Sequence, residues 1–202
     1  MSSQARSPET TAAHETQLGG TAGVVAAALF VLTTILTQLA PIGTEYESAT
    51  DYLHQVALAL AYVGVLIALV GLHARQRSSR RYGRLGGIGT TLTLVGYGVV
   101  LGVVVAGIIM GSKVLTEPRI AAALVVLVGS ALLGVATLRA RVVPWWCGVL
   151  LIIAFPLGDV ANRLFFDGAE ALLLAMLWGS IGTALLKPTS GSQAGQRPEV
   201  TR

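Results

Sequence analysis

Gln38, Asp51, His54, Asp159, Asn162, Arg163 and Glu170 carry polar or ionisable side chains at the edges of long apolar stretches. With Glu45, Glu47 and Asp167 they form a cluster expected at one membrane face. Carboxylates beside a histidine can bind a divalent cation or relay protons, and ionisable groups close to hydrocarbon are functional suspects because their burial is costly. A metal or enzyme site would centre on Asp51, His54, Asp159 and Glu170. A permeation site would use the wider cluster, with Gln38 reaching in from the first helix.

Each group also has a structural role to fill. Ser48-Ala-Thr-Asp51 has the spacing of a capping box, and Asp167-Gly-Ala-Glu170 places an acceptor and an acid where another helix begins. Asp159 and Arg163 are four apart, the spacing of an intrahelical ion pair, and Pro156 bends the chain a turn earlier. Asp51 and His54 share a helix face, yet a lone interfacial histidine is more often hydrated than metal-bound. No His-Glu-x-x-His, Gly-x-Ser-x-Gly, Gly-x-x-x-x-Gly-Lys or Cys-x-x-Cys pattern occurs. Catalytic residues therefore stay unassigned, no metal or cofactor is expected, and the balance leans away from an enzyme.

The elements that must position these residues are apolar helices. The chain is 53% hydrophobic and 12% charged, against roughly 25% charged in a soluble domain. A membrane helix needs roughly 20 apolar residues, and six segments qualify: 20–42, 53–74, 85–111, 120–138, 142–161 and 168–186. The expected fold is an all-α polytopic transmembrane bundle over residues 19–187, between a flexible segment, 1–18, and a flexible tail, 188–202. The fifth span holds Pro156 and Asp159 near its far end, and the sixth holds Glu170 near its start.

Lysine and arginine are retained on the cytoplasmic side. With both termini inside, Arg6, Arg75, Arg77, Arg80, Arg81, Arg84, Arg139, Arg141, Lys187, Arg197 and Arg202 fall inside, while Lys113, Arg119 and Arg163 fall outside. The acids Glu45, Glu47, Asp51, Glu117, Asp159, Asp167 and Glu170 face out. The expected location is the cell membrane, multi-pass, with cytoplasmic termini. The basic residues flank apolar runs and form no separate domain, so a nucleic-acid partner is not expected.

Gly98 with Gly102, and Gly107 with Gly111, form Gly-x-x-x-Gly pairs in the third helix, where small residues let backbones approach. They mark it as a packing helix, with Ser130 and Gly134 of the fourth as a matching face and a homo-oligomer or another membrane protein as partner. Thr33, Thr34, Thr37 and Gln38 in the first helix, with Thr90, Thr91, Thr93 and Tyr97 in the third, outline a polar seam, although threonine can bond back to its own helix. Tyr46, Tyr52, Trp145 and Trp146 fit interfacial anchors. Arg75, Arg77, Arg80, Arg81 and Arg84 are candidates for anionic lipid contact beside their topogenic role.

The acidic lead into His54, the run Gly71-Leu72-His73-Ala74-Arg75 and the run Arg139-Ala-Arg-Val-Val-Pro144-Trp145 resemble a broad group of small uncharacterised bacterial membrane proteins of about six spans. The resemblance implies a six-helix architecture and carries over no active residue. The expected function is a non-enzymatic membrane subunit or regulator. A permeation component and a membrane enzyme or metal-binding protein are the alternatives.

Overall fold

A computed structural model describes residues 8–39, 46–112 and 116–187. They form six helices: α1 Pro8–Leu39, α2 Ala49–Gln76, α3 Gly83–Met110, α4 Thr116–Ala140, α5 Trp145–Leu164 and α6 Ala169–Leu186. All are long and apolar enough to cross a membrane, and no strand occurs among the described residues. The chain is an integral membrane protein by its architecture. The expected tail and the charges Arg6, Glu45, Lys113, Arg197 and Arg202 lie outside the described residues.

Helix starts and stops follow local chemistry. α1 begins at Pro8, whose ring presets a helical φ, so residues 8–18, expected as a flexible lead, extend the first helix instead. α2 opens on the anticipated capping box: the Asp51 amide donates to Ser48 Oγ at 3.2 Å, and the Ser48 amide donates to Asp51 Oδ2 at 2.9 Å. α3 stops at Gly111, which adopts φ +67° and donates its N–H to the Gly107 carbonyl.

Packing is built from close backbone approaches. α1 lies between α2 and α6, and glycines make both interfaces. A methyl group added at Gly71 would sit 2.6 Å from the Gly19 Cα, and one at Gly23 would sit 3.0 Å from the Gly182 Cα. α3 and α4 form a second tight pair, with Gly89 against Leu133 and Gly129 against Thr93. α5 bridges α4 and α6, with Gly134 and Gly148 at its contact with α4. Among the described residues, two stitched groups thus meet: α6–α1–α2, and α3–α4 with α5.

The expected packing face of α3 is partly corrected here. Gly98 and Gly102 face outward, with nothing within 4 Å of a side chain placed there, while Gly89 and Gly96 make the contact with α4. Gly107 instead accommodates Tyr46, whose hydroxyl would lie 3.1 Å from an added methyl group. Ser130 is buried and bonds back to Val126, and Gly134 serves α5 rather than α3.

Candidate functional site

The two helix groups part at one end of the bundle and leave a cavity of about 720 Å³. It lies where α1 and α3 finish and α2, α4 and α6 begin. From Gln38 at its mouth to Phe30 at its floor, helical rise gives a depth of about 12 Å, less than half the hydrocarbon thickness. Leu58, Tyr62, Val100 and Leu174 complete the apolar floor, and Gln55, His54, Arg119, Asn162, Asp167 and Glu170 supply polar lining.

Four aromatic rings from four helices close the space below. Phe30 meets Tyr62 edge-on at a centroid distance of 5.7 Å, Tyr62 meets Tyr97 at 5.8 Å, and Tyr97 meets Trp178 at 6.1 Å. Edge-to-face and tilted pairs at these distances add to simple apolar burial. Beneath them Val65, Ala68, Leu69 and Leu72 are fully buried. The cavity is a pocket with a packed base rather than an open channel.

Glu170 sits in the first turn of α6, and its stem packs on Gly158 of α5, where an added methyl group would meet its Cγ at 3.0 Å. Arg119, near the start of α4, lines the same cavity, and its charge acts on Glu170 and on Tyr62. The α5–α6 turn beside them is held by side chains. Asn162 Oδ1 accepts from the Gly168 amide at 2.7 Å, Thr34 donates to the Gly168 carbonyl at 3.2 Å, and Gln38 donates to the Asp167 carbonyl. Gly168 itself takes φ +98°, which only glycine adopts without strain. Asp167 was expected to offer its side chain to this helix start; Asn162 satisfies the turn amide instead.

The anticipated cluster therefore divides. Gln38, His54, Asn162 and Glu170 line the cavity, whereas Asp51, Asp159 and Arg163 do not. Asp51 is buried and accepts from the amides of Glu47 and Ser48 in the α2 cap. Asp159 and Arg163 pair at 3.0 Å on an exposed helix face, at the i,i+4 spacing read from the sequence. No group of three His, Cys, Asp or Glu side chains that could hold a metal ion occurs among the described residues. The four-residue metal or enzyme centre is not assembled.

Several lining residues were not among the candidate site residues read from the sequence. Tyr46, expected as an interfacial anchor, is buried against Gly107 and Tyr52 and lines the cavity. Burial pushes its phenol above the usual tyrosine range; Arg119 opposes that shift, while Asp51 and Tyr52 add to it. Gln55 is buried beside His54, and its signal was an amide inside an apolar run. Arg119 had a clearer one, as an arginine on the acid-rich side where the positive-inside pattern leaves few. The expected α1–α3 seam is replaced by this cavity. Thr33 and Thr37 line it, and both bond back to their own helix, while Thr90 and Thr93 of α3 do the same.

The opposite end is basic, and its polar groups are engaged with one another. Gln76, fully buried, donates from Nε2 to Thr137 Oγ1 at 3.1 Å and accepts from it at Oε1, joining α2 to α4. His73 Nδ1 lies 3.1 Å from the Tyr82 hydroxyl, which lies 2.6 Å from Thr90 Oγ1. Arg75 Nη1 donates to the carbonyls of Ala184, Leu185 and Lys187 at the end of α6, where the carbonyls of a last helical turn have no partner within the helix. Arg75 is thus a helix clamp more than a lipid contact. Arg77 reaches Glu15 at 3.8 Å, and Arg80, Arg81 and Arg84 are exposed. Trp145 and Trp146 are exposed at this end, as interfacial anchors should be.

Comparison with protein-family models, with curated proteins and with solved structures gives no match.

Proposed function

We propose that this membrane protein binds a small polar solute in the cavity at its acid-rich end, as a binding or transport component. The observation that carries this reading is the cavity itself, with Glu170, Arg119, His54, Gln55 and Asn162 lining it above an aromatic base. Pockets of a few hundred cubic ångströms with an apolar body and a few convergent polar groups are the usual form of a solute site. The distribution of arginines supports cytoplasmic termini in the cell membrane, so the cavity opens to the exterior.

The test uses a Cys147→Ala background, since Cys147 is the single cysteine and is buried. Leu58→Cys and Val104→Cys, inside the cavity, are expected to react with a membrane-impermeant maleimide on intact cells, and Leu69→Cys, in the core, is not. Absence of labelling at both cavity positions would remove the binding reading. Labelling only after permeabilisation would reverse the orientation.

A second reading is favoured by the outward direction of Gly98 and Gly102. Small residues on an exposed helix face suit assembly with a second copy or another membrane protein. Gly98→Leu with Gly102→Leu would then reduce crosslinking between copies while leaving the monomer folded. Unchanged crosslinking counts against it.

A further inference from the structure

Resting on the cavity reading above, we propose that the occupant is a small zwitterion, with its cationic group between Glu170 and the Tyr62 ring and its anionic group on Arg119. Glu170 and Arg119 line one cavity and carry opposite charges, yet they do not close an ion pair with one another. The contrast is on the same molecule. Asp159 and Arg163 offer the same chemistry on an exposed face and meet at 3.0 Å.

The two charges come from different helices. Glu170 belongs to α6 and has its stem seated on Gly158 of α5, while Arg119 belongs to α4. Glu170 is half-buried and loses hydration without closing an ion pair, while Arg119 is exposed and offers its charge to the same cavity. A ligand with one charge would engage one of them and leave the other to water. A ligand carrying both satisfies both, and each contact is a charge-assisted hydrogen bond or ion pair. The floor suits the cationic half, because an ammonium group over an aromatic ring gains from the ring quadrupole, and Phe30 and Tyr62 both line the cavity.

An ammonium joined to a carboxylate or phosphate can come from a free solute or from a lipid headgroup. Binding is therefore measured on the full chain in detergent with glycine betaine, with monomeric short-chain phosphatidylcholine, and with tetramethylammonium and acetate as single-charge controls. At least one zwitterion is expected to bind at least tenfold more tightly than either control, as gain of a second charged contact implies. Betaine as the tighter probe assigns a free solute, and the phospholipid as the tighter probe assigns a headgroup.

Glu170→Gln and Arg119→Gln are each expected to weaken the zwitterion about tenfold. Tetramethylammonium should respond to the first change alone, and acetate to the second alone. If either variant fails to fold, the order of the four probes on the native chain still decides. Single-charge probes binding as tightly as the zwitterions would overturn the proposal, as would zwitterion binding untouched by both substitutions. A cavity that labels with maleimide but takes none of the four probes also overturns it and leaves the broader reading in place. A cavity that does not label ends both.

Discussion

At the basic end of the bundle, polar side chains bond to one another or to helix ends; at the acid-rich end some do the same, but Glu170 and Arg119 line a space instead. Gln76 and Thr137 satisfy each other between α2 and α4, and Arg75 closes the carbonyl end of α6. Glu170 and Arg119 face a common cavity without joining. The two ends show how one sequence style, apolar helices with polar residues near their tips, divides between holding the fold and leaving a site. In a bilayer the hydrophobic effect does not drive helices together, so close packing and interhelical hydrogen bonds must. The basic half supplies both.

The contrast can be broken most severely at the glycine crossings. Gly71→Val should destabilise the chain by about 3 kcal/mol or more, because the first added carbon already meets the Gly19 backbone at 2.6 Å. Unfolding in mixed detergent micelles measures it, and an unchanged midpoint would mean that α1 and α2 do not cross there.

Parallel amide deletions compare the two ends directly. Gln76→Ala removes a fully buried side chain together with its bonds to Thr137, and should cost about 2–3 kcal/mol. Gln38→Ala removes an exposed bond to the Asp167 carbonyl and should cost below about 1 kcal/mol. Equal losses in the same unfolding assay would erase the distinction between a structural end and a site.

Gly98→Ala is expected to change monomer stability by less than about 0.5 kcal/mol, since the new methyl group meets nothing within 4 Å. A large loss would place that face inside a packed assembly. The smallest effect concerns pH. Burial holds the Tyr82 phenol above the usual tyrosine range, with its bond to Thr90 opposing. A raised pKa in the folded state favours the protonated form. Its contribution is full below the unfolded value of about 10 and is lost as pH rises through the folded value. Ultraviolet titration of tyrosinate, native against Tyr82→Phe, should show one late-titrating phenol removed by the substitution.

Much of this architecture was legible because it depends on neighbours in sequence. Ser48 and Asp51 are three apart and form their cap, and Asp159 and Arg163 are four apart and pair. The threonines of α1 bond back to carbonyls three and four residues away, as their chemistry requires in an apolar helix. The early start of α1 was missed because residues 8–18 lack an apolar run, although Pro8 marks the place where a helix can begin.

Glycine spacing illustrates the limit. Gly98 and Gly102 have the spacing associated with helix packing and face outward, while Gly89 and Gly96 meet α4. Spacing says which residues share a face and not what lies opposite. The candidate site was half legible for the same reason. Glu170 and His54 stood out as polar residues beside apolar sequence, but the company Glu170 keeps in the cavity, Gln55 and Tyr62 of α2 and Arg119 of α4, comes from other helices.

By itself the sequence determined six apolar helices, the segregation of basic and acidic residues to their alternate ends, and the local caps and pairs. These follow from hydropathy, charge and spacings of three or four residues, all of which act along the chain. Only the tertiary structure decided which glycines are crossings, that Arg75 closes α6, and that Glu170 and Arg119 share a cavity while Asp51 and Asp159 stay outside it. Those outcomes depend on how each helix is rotated about its axis, and rotation is set by the fit between helices far apart in the chain.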